Sequence, residues 1–166
     1  MTIAIILAAG MGSRLHPLTK NIPKCLVKFN NKSLLHYQID LFKKKRISQI
    51  YVITGYKSKK IKSNDIIKIY NKNYKNTNMV SSLFTAKELF KKNEDIIISY
   101  GDIIFSNKNL EKLIKNKNDI SLMIDKEYLR YWKIRMKNPL KDLETLKLNK
   151  YNFIIELGKK TKTYKD

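Results

Sequence analysis

The sequence predicts an α/β fold of three layers, with helices on both faces of a mostly parallel mixed sheet. Three observations support this prediction. The 166 residues suffice for one domain with a core and are too few for two. Hydrophobic residues make up 43% of the chain and are spread along most of it, which argues against disorder. Apolar runs of strand length alternate with stretches of helical spacing.

The strands are predicted from short apolar runs that end at turn residues. Residues 3–8 form a continuous run rich in β-branched side chains, which suits a central parallel strand covered on both faces. Residues 66–70 fit either a short strand or the end of a helix. The other predicted strands have a similar apolar composition and lie at residues 50–54, 96–100 and 120–124.

The helices are predicted between these strands. Ser33 can cap the first helix, whose apolar positions run close to helical spacing as far as Phe42. Similar spacing recurs at residues 79–90 and 110–114. The alternation of strand and helix is the basis for the parallel sheet.

The C-terminal part of the chain gives a mixed signal. Aromatic residues lie among charges, and residues 143–148 and 153–157 then predict a hairpin. No linker rich in proline, glycine or serine marks a second domain, and the chain stops in a polar segment without a closing element. We therefore expect a single domain spanning residues 1–166 that lacks its C-terminal strands.

The chain is strongly basic, with 35 Lys and Arg against 14 Asp and Glu and a net charge of +21. Such an excess is typical of proteins that bind nucleic acids or anionic membranes. Here the lysines are scattered in pairs, which favours a solvated surface and no nucleic-acid partner. Steering of anionic substrates and an unrecognised polyanion partner stay open as alternatives.

Cysteine usage and hydropathy indicate the compartment. Cys25 is the single cysteine, so no intramolecular disulfide can form and a disulfide-stapled extracellular fold is excluded. The apolar start lacks a basic leader, and no apolar run approaches the roughly 20 residues that cross a bilayer. We expect a soluble cytoplasmic protein without membrane insertion.

A glycine loop follows the first predicted strand. Gly10 and Gly12 let backbone N–H groups approach a phosphate chain, because glycine has no Cβ to block close contact. Ser13 adds a hydroxyl donor, while Arg14 and Lys24 add cations suited to phosphate oxygens. The loop therefore predicts phosphate binding, with a plain structural turn as the alternative.

The string at residues 7–27, LAAGMGSRLHPLTKNIPKCLV, resembles the signature of the sugar-1-phosphate nucleotidyltransferase superfamily. That signature is L-A-A-G-x-G-[ST]-R-L-x-P-L-T, followed by P-K-x-L. The resemblance implies a Rossmann-like nucleotidyltransferase fold and an enzyme that joins a nucleoside monophosphate to an acceptor. It also implies catalytic roles for Arg14, which orients the leaving pyrophosphate, and for Lys24, which stabilises the transferred phosphoryl group.

Asp102 follows Gly101 at the end of the strand predicted at residues 96–100, and this pair resembles the Gly-Asp pair of the superfamily. A carboxylate at the carboxyl end of a strand can hold Mg²⁺ against phosphate oxygens. The resemblance thus implies Mg²⁺ as the cofactor, with a turn residue as the alternative role for Asp102. Members of the superfamily usually supply a second metal-binding Asp later in the chain. Asp166, the last residue, is not assigned that role.

Residues 76–86, NTNMVSSLFTA, resemble the N-x-x-x-S-L stretch of phosphocholine cytidylyltransferases and of relatives that activate 2-aminoethylphosphonate. In those relatives the positions of Asn78 and of Ser81 or Ser82 would lie near the base and the acceptor. A helix N-cap is the alternative role for Asn78. The residues implied in nucleotide binding are Leu7, Ala8, Ala9, Gly10, Met11, Gly12, Ser13, Arg14, Asn78 and Ser82.

Five later residues are predicted to contact the acceptor. Trp132 offers an aromatic face that attracts ammonium groups at about 0.5–2 kcal/mol per contact, Asp125 adds charge pairing, and Arg135 suits a phosphate or phosphonate. Glu156 and Lys159 resemble the Glu-x-x-Lys segment of the superfamily, in which the carboxylate contacts the acceptor and the lysine its phosphate. Packing against a sheet edge and a strand followed by a Gly-Lys turn are the respective alternatives.

The favoured function is transfer of CMP from CTP to phosphocholine or 2-aminoethylphosphonate, with release of pyrophosphate. A sugar-1-phosphate nucleotidyltransferase that uses UTP, dTTP or GTP is one alternative, and an inactive truncated nucleotide-binding module is another. His16 and His36 lack metal-ligand spacing to Cys25, so no zinc site is expected. A homodimer stays open as an assembly.

Overall fold

The computed structural model describes residues 1–164. Its strands are β1 Thr2–Ala8, β2 Lys28–Phe29, β3 Lys32–Ser33, β4 Ile50–Thr54, β5 Ile67–Tyr70, β6 Asp95–Tyr100, β7 Glu144–Leu148 and β8 Ile154–Lys160. Its α-helices are α1 Leu34–Lys44, α2 Met79–Leu83, α3 Asn107–Lys115 and α4 Tyr128–Arg135. Short 3-10 helices lie at Ser13–Leu15, Lys24–Leu26, Ser58–Lys60, Phe84–Lys91 and Pro139–Lys141.

The first compact unit, Met1–Lys115, contains a four-stranded sheet in the spatial order β5-β4-β1-β6. All neighbouring strands are parallel, with Ile5 level with Tyr51 of β4 on one side and with Ile98 of β6 on the other. The central position of β1 agrees with its burial, because Ile3 and Ile6 and the two residues between them have no exposed surface.

Helices pack on both faces of this sheet. On one face, Ala4 and Ile6 of β1 belong to a cluster with Leu35 and Phe42 of α1 and Leu110 of α3. On the other face, Ile3 and Ile5 pack in a cluster with Ala86 and Leu89 of the 3-10 helix Phe84–Lys91. The predicted three-layer α/β fold is confirmed, and the antiparallel pairs β2–β3 and β7–β8 form separate small sheets.

The first helix begins where the sequence predicts. The hydroxyl of Ser33 accepts a hydrogen bond from the backbone N–H of His36 at 3.2 Å, so the cap is present. The last turn carries Lys43 and Lys44, whose charges complement the negative end of the helix dipole. Both ends of α1 therefore carry local signals that are visible in the sequence.

The segment predicted as a helix at residues 79–90 is helical but divided. It consists of α2 followed by the 3-10 helix Phe84–Lys91, and Ala86 has non-helical angles of φ −103° and ψ 21°. Residues 66–70, which fit either a short strand or the end of a helix, contain β5, and β5 pairs parallel to β4.

The prediction of a strand at residues 120–124 is wrong. These residues lie in irregular structure, and Ile120 is 92% exposed. A strand needs a partner for its backbone groups, and no strand within the described residues pairs with this run.

The second compact unit, Asn116–Asp166, contains α4 and the antiparallel hairpin of β7 and β8. The hairpin was predicted, and its turn is held by Asn149, whose side-chain oxygen accepts from the N–H groups of Tyr151 and Phe153 at 2.9 and 3.0 Å. The single domain over residues 1–166 stays a prediction. No helix in the described part of the chain combines the length and apolar character that a bilayer span requires.

Candidate active site

A cavity of about 290 Å³ opens at the carboxyl end of the parallel strands of the first unit. This edge is where open parallel sheets bind ligands, because the loops that follow the strands meet there. The lining residues come from the ends of β1 and β6, from the segments that follow β1, β5 and β6, and from α2. They are Leu7, Ala8, Ala9, Gly10, Gly12, Arg14, Lys24, Cys25, Tyr74, Thr77, Asn78, Met79, Ser82, Tyr100, Gly101 and Asp102.

The glycine loop after β1 has a shape that only a small residue allows at its turn. Gly12 has φ +65°, in the left-handed region, and its carbonyl accepts a hydrogen bond from the hydroxyl of buried Thr19 at 2.8 Å. Gly10 faces open space, with no atom within 4 Å of the place where a Cβ would stand. The loop therefore presents bare backbone to the cavity, as phosphate binding requires.

Lys24 and Asp102 meet in this cavity although 78 residues separate them in the chain. The ammonium of Lys24 forms an ion pair with Asp102, and both side chains keep about a third of their surface exposed. Gly101 lets the end of β6 lie close to β1 and to Cys25, because a Cβ there would lie 2.9 Å from the carbonyl oxygen of Leu7 and 3.2 Å from the Cβ of Cys25. The pair places one cation and one carboxylate beside the glycine loop.

Arg14 supplies a second cation. It lies in the exposed 3-10 helix Ser13–Leu15 directly after Gly12, and it lines the cavity. Within residues 1–164 its guanidinium forms no ion pair with an acidic side chain. Arg14 and Lys24 together exceed the charge of Asp102, so the cavity suits an anionic ligand such as a triphosphate.

Cys25 forms part of the cavity wall and is 2% exposed. Burial raises the pKa of its thiol from 9.0 to about 12, a backbone hydrogen bond opposes this rise, and the Asp102 charge adds to it. The thiol is therefore protonated at neutral pH, and its burial agrees with a packing role.

A buried asparagine that the sequence analysis missed organises the opposite wall. Asn71, directly after β5, is 3% exposed and donates from its amide to the hydroxyls of Thr77 at 2.9 Å and Ser82 at 3.0 Å. Its own amide oxygen accepts from the N–H of Asn73 at 2.9 Å. This network fixes the loop that carries Tyr74 and Thr77 into the cavity.

The structure brings most of the predicted nucleotide-binding residues together. Met11 and Ser13 belong to the glycine loop and are exposed, but neither is part of the cavity lining. Asn78 lines the cavity and also caps α2, accepting from the N–H of Ser81 at 2.8 Å. The lining residues that sequence reasoning missed include Tyr74, Thr77 and Met79. The last two stand inside the NTNMVSSLFTA motif, which could have indicated them.

All five residues predicted to contact the acceptor lie in the second unit. Glu156 and Lys159 form an ion pair of 2.7 Å, and this hydrogen bond lowers the pKa of the Glu156 carboxyl. The guanidinium of Arg135 lies 4.8 Å from the ring centre of Trp132. That aromatic face therefore already holds a cation of this chain.

The remaining contacts of these residues are local. Asp125 accepts from the N–H of Glu127 at 2.9 Å, and the indole N–H of Trp132 donates to Asp142 at 3.2 Å. Their roles toward an acceptor stay predictions.

The chemistry of the cavity fits a divalent cation held with a phosphate chain. Mg²⁺ commonly takes one or two protein carboxylates and completes its shell with phosphate oxygens and water. Asp102 supplies one such carboxylate, and within residues 1–164 no group of three or more His, Cys, Asp or Glu side chains forms a dedicated metal cage. Asp166 lies outside the described residues.

Comparison with known proteins agrees with this geometry. A family model described as nucleotidyl transferase matches residues 3–131. The chain is 42% identical over 176 residues to the CTP:phosphoglutamine cytidylyltransferase of Campylobacter jejuni, covering 97% of this chain and 67% of that protein. It is also 42% identical over 92 residues to the choline-phosphate cytidylyltransferase of Streptococcus pneumoniae, covering 51% of this chain and 39% of that protein.

Two solved structures are similar in fold. The CTP:phosphocholine cytidylyltransferase from Streptococcus pneumoniae has a TM-score of 0.58 and 35% identity, over 64% of this chain and 50% of that chain. The inositol-1-phosphate CTP transferase from T. maritima has a TM-score of 0.70 over 99% of this chain and 66% of that chain, and its 23% identity supports the fold alone. The chain thus spans between 39% and 67% of the length of these four proteins.

These matches confirm the predicted fold class, superfamily and enzyme class. The matched residues 3–131 include the glycine loop and nearly all of the parallel sheet. The chain belongs to the nucleotidyl transferase family.

Proposed function

We propose that this chain transfers CMP from CTP to a phosphorylated small molecule and releases pyrophosphate. The observation that carries the proposal is the convergence of Gly10, Arg14, Lys24 and Asp102 on one cavity in a chain of this family. Two relatives, each 42% identical to it, are cytidylyltransferases, which favours CTP among the nucleoside triphosphates. Because the chain spans only part of these relatives, the activity and its substrates are proposals.

The glycine loop would hold the triphosphate. Its backbone lies open to the cavity at Gly10, so phosphate oxygens can approach the N–H groups. Arg14 would pair with the pyrophosphate portion and Lys24 with the phosphoryl group that is transferred. Asn78 and Ser82 line the opposite wall and are the proposed neighbours of the base.

The reaction needs no covalent enzyme intermediate. An oxygen of the acceptor phosphate attacks the α-phosphorus of CTP, and a new P–O bond forms. The bond from the α-phosphorus to the oxygen that bridges to the β-phosphorus breaks, and its electron pair leaves with pyrophosphate. The residues act by positioning and by neutralising charge, which in enzymes of this kind supplies most of the rate enhancement.

Nucleotidyl transferases generally use a divalent metal, and we propose Mg²⁺ with Asp102 as its protein ligand. When bound, the ion would neutralise part of the phosphate charge. The ion pair to Lys24 keeps the Asp102 carboxylate in the cavity. There the carboxylate and the phosphate oxygens would hold the cation together.

The acceptor is proposed to carry a phosphate or phosphonate and a nitrogen-bearing group. Phosphoglutamine is the first compound to test because of the Campylobacter jejuni relative, and phosphocholine the second because of the streptococcal one. We keep 2-aminoethylphosphonate as the third. The proposed acceptor contacts are Asp125, Trp132, Arg135, Glu156 and Lys159.

A pyrophosphate-release assay over nucleotides and acceptors tests the proposal. CTP with Mg²⁺ should be turned over with phosphoglutamine or phosphocholine, while UTP, dTTP and GTP should give little product. Turnover with glucose 1-phosphate and UTP, dTTP or GTP, but with none of the three nitrogen-bearing acceptors, would show a sugar-1-phosphate nucleotidyltransferase instead. Nucleotide binding with no turnover on any pair would indicate the inactive module.

The variant Lys24→Met tests the role of the cavity cation. We expect kcat to fall by about 10²–10³-fold, the usual loss when one group that stabilises the transition state is removed. Lys20→Met is the matched control, since Lys20 is exposed and lies outside the cavity lining. Equal kcat values for the two variants would contradict the role of Lys24.

We propose a cytoplasmic setting and no nucleic-acid partner. The single cysteine suits a reducing cytoplasm, and the dispersed lysines suit a protein without a nucleic-acid partner. A homodimer is a further proposal, which sedimentation of the purified chain would test.

A further inference from the structure

A buried glutamine on α1 is hydrogen-bonded through its whole amide group. Gln38 is 1% exposed, and its Nε2 donates to the carbonyl oxygens of Tyr100 at 2.8 Å and Ile103 at 2.9 Å. Its Oε1 accepts from the hydroxyl of Ser99 at 2.8 Å. Both amide hydrogens and the amide oxygen are therefore used, and every partner belongs to the end of β6 or to the turn that follows it.

The two carbonyls that Gln38 binds flank Asp102. In the described residues β6 is an edge strand that ends at Tyr100, so no neighbouring strand supplies donors to the carbonyls of Tyr100 and Ile103. The Tyr100 carbonyl has otherwise a long contact of 3.3 Å from the Ser99 hydroxyl. Gln38 supplies those partners from the helix, while the N–H of Gly101 donates to the carbonyl of Leu7 at 2.9 Å. The backbone on either side of Asp102 is thus fixed to two different elements.

Burial of a glutamine amide lowers the stability of the fold unless its polar atoms are hydrogen-bonded. The neighbouring residues of the cluster on this face are aliphatic or aromatic, and an apolar side chain of the same length would fill the space. Gln38 does not line the cavity, so it does not contact the proposed ligand. Its effect on the site must pass through the backbone of residues 100–103.

We propose that Gln38 is a positioning residue that fixes the Asp102 carboxylate for the divalent cation and for Lys24. This inference rests on the proposed function, in which Asp102 is the protein ligand of the metal. Removal of a group that orients a metal ligand without contacting the metal commonly weakens metal affinity by 10–100-fold.

Two substitutions test the proposal. Gln38→Met keeps the length of an unbranched side chain and removes all three hydrogen bonds, whereas Gln38→Glu keeps the acceptor for Ser99 and removes both donors. The readout is Mn²⁺ affinity, measured by electron paramagnetic resonance with a non-hydrolysable CTP analogue present. We expect both variants to bind Mn²⁺ 10–100-fold more weakly than the wild type.

Two control variants and one further measurement separate a positioning role from an effect on stability. Asp102→Asn should lose Mn²⁺ binding, and unchanged binding in that variant would overturn the proposal. Ile39→Val shortens the next buried residue of α1, and its Mn²⁺ affinity should stay within about twofold of wild type whatever its Tm. Hydrogen exchange should accelerate at the amides of residues 101–104 in Gln38→Met, while the amides of β1 stay protected.

The outcomes for the function and for this inference differ. If the wild type binds Mn²⁺ but releases no pyrophosphate with any acceptor, the proposed function fails and the positioning role can still be measured. If the wild type is active and Gln38→Met binds Mn²⁺ as tightly as wild type, the positioning role is wrong and the function stands.

Discussion

Single residues at the carboxyl edge of the sheet differ sharply in the space around them. At Gly55 a Cβ would lie 2.5 Å from the Cβ of Tyr74 and 2.7 Å from the carbonyl oxygen of Ala9. At Gly10 the same atom would meet nothing within 4 Å. One glycine is required by packing, and the other leaves room for a ligand.

These two glycines should separate folding from binding. We expect Gly55→Ala to lower the free energy of unfolding by about 1–3 kcal/mol, because the new methyl group overlaps backbone and side-chain atoms. Gly10→Ala should leave Tm unchanged but weaken CTP binding, because its methyl group would stand where phosphate approaches. Thermal unfolding and nucleotide titration measure the two effects. Full CTP affinity in Gly10→Ala would contradict the assignment of the loop.

The Cys25 thiol gives a prediction with a defined pH range. Its pKa rises from 9.0 to about 12 on folding, so the folded state favours the protonated thiol. The resulting stabilisation is fully present below pH 9 and is lost as the pH rises from 9 towards 12. At pH 8 we expect iodoacetamide to label the native protein far more slowly than the protein in urea, as followed by mass spectrometry. Equal labelling rates would show that the thiol is accessible.

Among the elements, those with local signals were predicted well. The apolar run of β1 and the cap of α1 lie within a few consecutive residues, so the sequence alone sets their bounds. Residues 120–124 have the composition of a strand, but strand formation depends on a partner that composition does not show.

The sequence also predicted several residues that line the cavity, while their roles stay predictions. The loop up to Arg14, with Lys24 and Asp102, follows from motifs whose glycines and charges are adjacent in sequence. Gln38 and Asn71 were missed because each is an ordinary polar residue in the sequence. Their hydrogen bonds form only when elements meet, across 62 residues between Gln38 and Tyr100 and 11 between Asn71 and Ser82.

The link between β5 and α2 depends on Asn71. Replacing it by Ala would leave the buried hydroxyl of Ser82 and the half-buried hydroxyl of Thr77 without this donor, so we expect a loss of about 1–3 kcal/mol in the free energy of unfolding. Asn73→Ala is the matched control, because that exposed side chain lies in the same loop and should change stability by less than about 0.5 kcal/mol. Urea unfolding compares the two variants, and equal losses would contradict the role of Asn71.

For the whole molecule, the net charge of +21 should act on the rate at which anions arrive. Salt screens such steering, since the Debye length is about 10 Å at 0.1 M ionic strength. We expect the KM for CTP to rise several-fold between 50 and 500 mM NaCl, with a smaller change in kcat. Steady-state kinetics at fixed free Mg²⁺ measures this effect, and a KM independent of salt would exclude steering.

The same charge separates a solvated surface from a polyanion site. Non-specific contacts with phosphates weaken steeply with salt, so we expect DNA binding to be undetectable at 0.2 M NaCl. Fluorescence anisotropy with a labelled duplex measures this directly. Binding that survives 0.2 M salt would support a polyanion partner.

The parallel order of the sheet has a consequence for how the protein is made. β1 is synthesised before the other strands of this sheet. Ala4 can pair only after Ile50 has been made, and Thr2 only after Asp95, so a neighbour on each side comes late. At about 5–20 residues per second, synthesis of that stretch takes roughly 5–20 s. Until β4 has been made, the apolar run from Ile3 to Ile6 has no strand beside it, and until β6 has been made one of its two edges stays unpaired, which exposes it to aggregation. β1 precedes the other strands of this sheet in the chain, yet it gains its second neighbour only with β6, the last of them.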